Sequence, residues 1–524
     1  MYISYLDQIK QRLTVEGKLN QSDIIRQILS DYSHDEKTKF MEIGERYYYG
    51  EHDILKHSFK RTLVYDHISA DNSDDGHEHD GVTEVINENN SNKRNIHAFH
   101  QLMVDQKASY IVGKPPSITV NNDDAFQEAI TTRTNDEDFP DMLYDWVVSA
   151  SNKGIEWVHP YYDPNGILRY CIVPANEVIP FYDTEHQSIL QDAVRFYTIQ
   201  VISEGKPVQR YKVEWWTAND VTYYVQNEEK NFLLDPSYKC NPAPHWWDVT
   251  FVDGAEQSRK PNIWGRVPFI ALHNNSADIS DLGGIDKYES PKGIKSLIDA
   301  YDMISSKSTN DQIDLAALFW VIKGFNDDYA SSMIKRLQIN KAINISGGDQ
   351  GDGVTAQQVT LNVEERIKWL DMLRNDIFYF GKGIDTRDDN LGNAPSGVAL
   401  KFKYTQLDLK ANPMILKLKK ALKDLFWFIT ADINQQNGTK YDSSGIVTTI
   451  NKSIIANDSE TVTMINNSRG LVPDKILLAH HPLVDDVNQA MADMAEQQAA
   501  QVKLRSQIFL NNDVPPGNEN GGGT

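Results

Sequence analysis

Apolar residues recur at three- and four-residue steps through the first 60 positions, at Ile24, Ile25, Ile28 and Leu29 and then densely over 40–50, which predicts helices. Gly50 stops the second of them. Residues 69–92 are polar and acidic, with too little apolar content to fold, and read as a mobile loop. A helix resumes near Lys93, carries Ile96, Phe99, Leu102, Met103 and Tyr110, and ends at Gly113-Lys114-Pro115-Pro116. From about 154 to 272 the period falls to two. Asp163-Pro164-Asn165-Gly166 joins Glu156-Trp157-Val158-His159 to Leu168-Arg169-Tyr170-Cys171-Ile172-Val173 as a hairpin, and further strands follow at 193–202, 209–217 and 221–226. On that period one tryptophan of each doublet, Trp215-Trp216 and Trp246-Trp247, faces the core and the other a neighbouring surface, which favours sheet packing over base stacking.

Ser290-Pro291 reads as the N-cap and first turn of a helix that carries Ile294, Leu297, Ile298, Tyr301 and Ile304 and turns polar from Ser305 to Asp311. One end is therefore buried and the other faces water or a partner. A small α/β block follows: a strand at 318–322, a short helix at 328–338, a strand at 342–345, a glycine-rich loop at 347–353 and a closing strand at 358–361. Asn362 and Glu365 resemble a capping box, opening a helix with Val363, Ile367, Leu370, Leu373 and Ile377 on one face. A loop of small and polar residues, 381–394, then leads through Pro395-Ser396 into a helix running to about Ala431, roughly 50 Å long. Its apolar positions, Leu400, Tyr404, Leu407, Ala411, Met414, Leu418, Ala421, Leu425 and Phe428, keep a seven-residue repeat that calls for a long packing partner. Pro413 predicts a kink in its middle. Short helices at 458–469 and from Pro473-Asp474, and a last one over 485–507, precede a frayed tail from about 511. The fold class is α+β, mainly helical.

Composition adds that the 524 residues, 40% hydrophobic and 10% aromatic, can bury large cores, with room for roughly three or four compact units. With 52 Lys+Arg against 74 Asp+Glu the formal charge is −22, which argues against a protein that coats nucleic acid. Two cysteines, Cys171 and Cys240, exclude a disulfide framework and suit a reducing compartment. The longest apolar run, Leu315 to Ile322, is too short to cross a bilayer, and the first residues lack the pattern of a signal peptide. The Gly-Lys pairs at 17, 113, 205 and 381 lack the rest of a P-loop, so a motor ATPase is disfavoured. No H-E-x-x-H, paired C-x-x-C or G-x-S-x-G is present. His77-Glu78-His79-Asp80 is the one candidate chelator, but neighbours in a floppy loop do not hold ligand geometry, so no metal or other cofactor is expected. Between Leu400 and Asp424 lie seven Lys and two Asp, a stripe read first as the solvated side of a packed helix and second as a contact for acidic neighbours or DNA phosphates. The loop 381–394, with Lys382 and Arg387 between two anchoring helices, is better placed to meet a ligand.

Several stretches, in this order, resemble a known family: Tyr47-Tyr48-Tyr49-Gly50-Glu51-His52-Asp53-Ile54-Leu55, Asp105-Gln106-Lys107-Ala108-Ser109-Tyr110-Ile111-Val112-Gly113-Lys114-Pro115 and Val178-Ile179-Pro180-Phe181-Tyr182-Asp183. Gly265-Arg266-Val267-Pro268-Phe269-Ile270, Lys295-Ser296-Leu297-Ile298-Asp299-Ala300-Tyr301-Asp302 and Pro395-Ser396-Gly397-Val398-Ala399-Leu400-Lys401-Phe402 continue the series. The chain is similar to the portal proteins of tailed bacteriophages, in the subgroup of the Bacillus phage SPP1 portal. The resemblance implies a portal fold assembled as a ring, a probable dodecamer, at one capsid vertex, through which double-stranded DNA is packaged and ejected without sequence specificity. It implies a wing of N-terminal helices and sheets over 1–290, stem helices at 291–316 and 362–380, a clip at 317–361, a tunnel loop at 381–395, a long wing helix at 396–432, a crown at 433–508 and a disordered tail at 509–524. The clip would dock the terminase large subunit and later the head-to-tail adaptor, with Trp320, Lys323, Asp327, Asp328, Lys335 and Arg336 as candidates. The tunnel loop would present Lys382, Arg387, Asn390 and Asn393 to DNA, and the wing would meet major capsid and scaffold proteins. No catalytic residue, cofactor or membrane is implied; the location is the virion, and the host cytoplasm during assembly. The rival readings are a metal-dependent hydrolase built on the His77 cluster and a non-portal capsid or scaffold component.

Overall fold

The computed structural model describes residues 18–511 apart from 69–78, 87–89, 122, 184–188, 204, 253–254, 286–290, 315–318, 324–341, 346–352, 358–361, 388–396, 454–457, 480, 482 and 485–486. Helices α1 (Lys18–His34) and α2 (Glu36–Tyr48) open it, and Gly50, at φ 78°, lets the chain turn away after α2. Then come α3 (Phe99–Val112), α4 (Asp124–Thr134) and α5 (Asp138–Lys153), followed by the strand-rich middle. Helix α6 (Lys295–Asp314), the strands Phe319–Lys323, Ala342–Ile345 and Gly353–Gln357, and α7 (Val363–Gly381) lead to α8 (Gly397–Asn437), and α9 (Asp458–Ser468), α10 (Asp474–Ala479) and α11 (Val487–Asn511) close the chain.

Two sheets carry the middle. Strands Ile155–Tyr162 and Leu168–Val173 pair antiparallel around the expected turn, where Gly166 has φ 77°, and Ile270–His273 adds on the other side. Alternation splits this three-stranded sheet between two cores. Trp157, Val173 and Phe269 join one cluster, whereas Val158, Leu168, Ile270 and Leu272 join the largest, shared with α3, α4, α5 and α8. The second sheet has five strands, from Val178–Tyr182 through Leu190–Ser203, Lys206–Trp216 and Val221–Gln226 to Phe232–Leu234. Trp215 and Trp216 are both buried, at 5% and 6% exposure, which corrects the expectation that one of them faces a surface. The sheet is covered on both faces: Trp215 packs with Ile25 and Ile28 of α1, and Trp216 with Trp157 and Phe269.

The long helix is unbroken for 41 residues, and Pro413 lies with Leu409 on its exposed face. There the carbonyl that loses its amide partner to proline remains open to water. Leu407, Ala411, Met414, Leu418, Ala421, Leu425 and Phe428 are buried as the heptad requires. Their partner is not one long helix but a mosaic of α3, α4, α5 and the edge strand Ile270–His273.

Four other expectations are corrected. The segment 79–86 is not a loop but a strand, paired with Arg61–Ile68. Pro291–Gly293 pairs with Gly283–Ile285, so α6 starts at Lys295 and not at a Ser290 cap. The strand closing the small α/β block is Gly353–Gln357, antiparallel to Phe319–Lys323; the expected helix 328–338 and strand 358–361 lie outside the described residues.

The fourth correction concerns residues 91–98, which are not helical. They lie along the polar face of α6, antiparallel to it, as a strap. Asp314 accepts from the Ser91 amide at 3.0 Å, and Asn310 both accepts from the Lys93 amide at 2.7 Å and donates to its carbonyl at 2.8 Å. Ser306 accepts from the Asn95 amide at 2.8 Å, and Asp302 sits 2.7 Å from His97 Nδ1 and 2.6 Å from His52 Nδ1. Four helical residues rise about 6 Å and two extended residues about 6.6 Å, so rungs every fourth residue of α6 meet every second residue of the strap. Asp302, Ser306 and Asn310 are buried by it. The polar half of α6, expected to face water or a partner, is thus a backbone-binding ladder within the chain. Asn310→Ala leaves the Lys93 amide and carbonyl unpaired and is expected to cost about 1–3 kcal/mol; hydrogen exchange should speed up over 91–95 while the five-stranded sheet stays protected.

Candidate functional site

The loop after α7 begins from a tightly held base. Helix α7 starts as expected, with the Asn362 side chain accepting from the Glu365 amide at 3.4 Å. It ends with Lys382 in the left-handed region, φ 54°, where the Lys382 amide donates to Tyr379 O at 3.3 Å and the Gly383 amide to Phe378 O at 3.0 Å. A lysine there costs about 1 kcal/mol relative to glycine. A Cβ on Gly381 would run into Met103 of α3, and one on Gly383 would come within 2.7 Å of Met103 Cγ. Glycine lets the loop base sit directly on α3.

Two side-chain clamps follow. Gln106 of α3 donates to Ile384 O at 2.8 Å and accepts from the Ile384 amide at 3.0 Å. Arg374 of α7 grips both oxygens of Asp385, from Nε at 2.6 Å and from Nη2. Burial would raise the Asp385 carboxyl, but the hydrogen bonds from Arg374 outweigh it and hold it below its usual range. The Arg387 amide donates to the same carboxylate at 2.9 Å. Lys382 and Arg387 are both exposed, and neither forms an ion pair among the described residues. The chain thus enters 388–396 from a fixed point flanked by two cations.

Below the base lies a buried polar knot. Lys410 of α8 donates to Gly381 O at 3.0 Å and lies 3.3 Å from Asp281. Lys107 of α3 lies 3.0 Å from the same carboxylate and also donates to Asn274, whose Nδ2 donates to Asp281 at 2.9 Å. Burial would raise the Asp281 carboxyl, yet Lys107 and Lys410 overcome it and hold it far below the ordinary range. Lys107 is fully buried, so there burial wins and brings the ammonium down to about 8. One carboxylate between two ammonium groups ties α3, α8 and the end of α7 together. Truncating one partner would leave a buried charge uncompensated.

His100, two turns before Lys107 and wholly buried, is held down to about 3 by burial. From pH 6.5 to about 3 the unfolded chain takes up a proton that the folded one refuses, so stability falls with pH across that window. The His100→Leu variant should show a shallower loss between pH 6.5 and 4, by about 1.4 kcal/mol per pH unit, in denaturant titrations at each pH. Lys382→Gly removes a loop cation at a position suited to glycine and should leave the melting temperature unchanged or slightly raised.

Of the expected site residues, Lys382 and Arg387 both lie exposed on the segment just after α7, while Asn390 and Asn393 lie outside the described residues. Trp320 and Lys323 sit on the central strand of a three-stranded sheet, Trp320 opposite Ala342 and Ala356 and Lys323 opposite Ile345 and Gly353; Asp327, Asp328, Lys335 and Arg336 lie outside the described residues. Gln106, Arg374, Lys410 and Asp281, which hold the loop, carried no signal in the sequence. Lys410 looked like the other six lysines of its stripe. Among the described residues no group of His, Cys, Asp and Glu is placed to hold a metal; His77 and Glu78 lie outside them and His79 and Asp80 on a strand. A cleft of about 990 Å³, lined by Trp216, His245, Trp246, Trp247 and Trp264, was also not foreseen. Its acids Glu214 and Asp432 are tied to neighbours, Glu214 accepting from Tyr197 at 2.9 Å and Asp432 from Tyr162 at 2.9 Å.

Over residues 29–504 the sequence matches the family described as phage portal protein, SPP1 Gp6-like. It is 29% identical over 470 residues to a portal protein of Bacillus phage SPP1, covering 89% of this chain and 85% of that one. It is 28% identical over 486 residues to a portal protein of Clostridium phage phiCD119, covering 89% and 94%. A solved structure described as the neck of a native GTA particle, computed with C12 symmetry, aligns at TM-score 0.35 and 11% identity over 73% of this chain and 90% of that one.

Proposed function

This chain belongs to the SPP1 Gp6-like family of phage portal proteins, a structural component of the phage particle, and we propose that its copies close into a twelve-membered ring around a channel for double-stranded DNA. The observation that carries the ring is the face of α7. Only Leu373, Ile377, Phe378 and Gly381 of its 19 residues are buried. Trp369, Met372, Tyr379 and Phe380 stand 43–65% exposed, and with Asp376 they keep three- and four-residue steps along one side. A helix that shows water four large apolar side chains along one side, broken only by Asp376, lacks a neighbour there. In a ring, the next copy supplies it.

The channel chemistry follows from charge. Each phosphate neutralised on the wall adds salt-sensitive affinity, so a conduit works best with few cations and a repelling background. Lys382 and Arg387 are the pair offered by the rigid loop base, with Asn390 and Asn393 as uncharged donors in the same loop. Their contacts with passing DNA are transient and independent of sequence. The loop is the tunnel element at 381–395; α6 and α7 are the stem, 317–361 the clip, 1–290 and 396–432 the wing and 433–508 the crown. The clip docks the terminase large subunit and then the head-to-tail adaptor, through Trp320, Lys323, Asp327, Asp328, Lys335 and Arg336. The wing meets major capsid and scaffold proteins. The chain works at the capsid vertex after assembly in the host cytoplasm, performs no catalysis and requires no cofactor. The force on DNA comes from a separate ATPase, consistent with the missing P-loop.

Trp369→Asp with Met372→Asp should leave the fold intact by circular dichroism and abolish rings in native mass spectrometry; rings at wild-type yield would remove the role of this face. Replacing Lys382 and Arg387 together by Gly and Gln should retain rings but reduce DNA packaged or retained per particle. Unchanged packaging and retention would show that these two side chains are not the DNA contacts.

A further inference from the structure

Helices α5 and α8 bury one face each in the same core, through Phe139, Leu143, Trp146 and Val147 on α5 and Leu418, Ala421, Leu422 and Leu425 on α8. Their outer faces therefore turn away from the core and from each other. The outer face of α8 carries Leu416, 70% exposed, and the exposed Lys419, Lys420 and Lys423. None of the three lysines forms an ion pair among the described residues; the Asp442 carboxyl is lowered by its hydrogen bonds with Ser444 and, least of all, by Lys423. The three acids of this helix are taken elsewhere, Asp408 by Lys452 at 2.6 Å, Asp424 by Arg266 at 3.0 Å and Asp432 by Arg133 at 3.0 Å. The outer face of α5 shows Glu137, Asp141 and Asp145 at four-residue steps, all exposed. None of these pairs with a cation among the described residues; the nearby Arg133 is engaged by Asp432 at 3.0 Å. Burial chiefly, with a smaller repulsion from Asp141, raises the Asp145 carboxyl.

We propose that neighbouring copies in the ring meet through these two stripes, the lysines of α8 on one copy against the acids of α5 on the next. This inference rests on the ring reading above. A head-to-tail ring needs two different, mutually complementary patches on every chain. The stripes are opposite in sign and similar in length: 137–145 spans about 12 Å and 416–423 about 10.5 Å. Leu416 among the lysines favours a protein partner over a phosphate backbone, and a chain of net charge −22 has few other basic faces to offer.

The test uses full-length protein. One variant carries Lys419→Glu, Lys420→Glu and Lys423→Glu, the other Glu137→Lys, Asp141→Lys and Asp145→Lys. Each is confirmed as folded by thermal melting, and rings are counted by native mass spectrometry. Each alone should raise the concentration needed for ring assembly about tenfold or more, while an equimolar mixture, in which the reversed faces alternate, should assemble like wild type. The contact is overturned if either variant assembles normally alone, or if the mixture and the six-fold reversed chain both stay unassembled. It is also overturned if the lysine variant keeps its rings and loses only binding to a DNA duplex. Wild-type protein that forms no rings at any salt concentration would instead defeat the ring reading itself.

Discussion

Everything in this chain hangs on the need of one 41-residue helix to bury a heptad stripe with no single long partner to bury it against. The stripe is satisfied piecemeal by α3, α4, α5 and the edge strand Ile270–His273, which fixes the relation of the N-terminal helices to the sheet. Lys410 projects from the flank of that stripe into the Lys107–Asp281 knot and reaches the last carbonyl of α7. The packing of α8 therefore sets where the loop begins. Truncating Asp281 would leave two ammonium groups facing each other in a buried site, a cost larger than any single surface pair carries.

Where apolar spacing alone decides an element, the chain was legible. The hairpin around Gly166, the strand Val221–Gln226 and the capping of α7 by Asn362 follow from local chemistry, whereas α8 runs on past the expected end near Ala431 to Asn437. The misreadings share another cause: polar residues whose partners lie far along the chain. Ser305 to Asp311 read as facing water or a partner because nothing local says that residues 91–97, some 200 positions earlier, supply backbone amides to that face. Lys93 to His97 looked helical because Ile96 and Phe99 fit a helical step, yet the ladder pairs that stretch with α6 instead. Lys410 and Gln106 were invisible for the same reason, since a clamp on a backbone carbonyl has no pattern in sequence. The tryptophan doublet misled because alternation reports two faces but not what covers each of them.

The acidic balance fits this arrangement better than it first suggested. A charge of −22 weakens any claim to tight nucleic-acid binding. It is compatible with a wall past which a polyanion must slide, provided the cations are few and held at defined points. Several basic groups near the loop and the stem are held in pairs: Arg374 with Asp385, Lys295 with Asp53 and Asp299, Lys452 with Asp408. Lys382 and Arg387 stand apart from those pairs at a base whose backbone is clamped on both sides. A rigid mount with a few exposed charges gives brief, repeatable contacts instead of a grip.

The central claim is the closed ring with the loop base turned to its axis. Electron microscopy of the purified full-length chain tests it directly: the account predicts closed, twelvefold rings with an axial opening wide enough for duplex DNA and the segment after Gly381 lining it. Monomers, open filaments, or rings with that segment on the outer rim would contradict it.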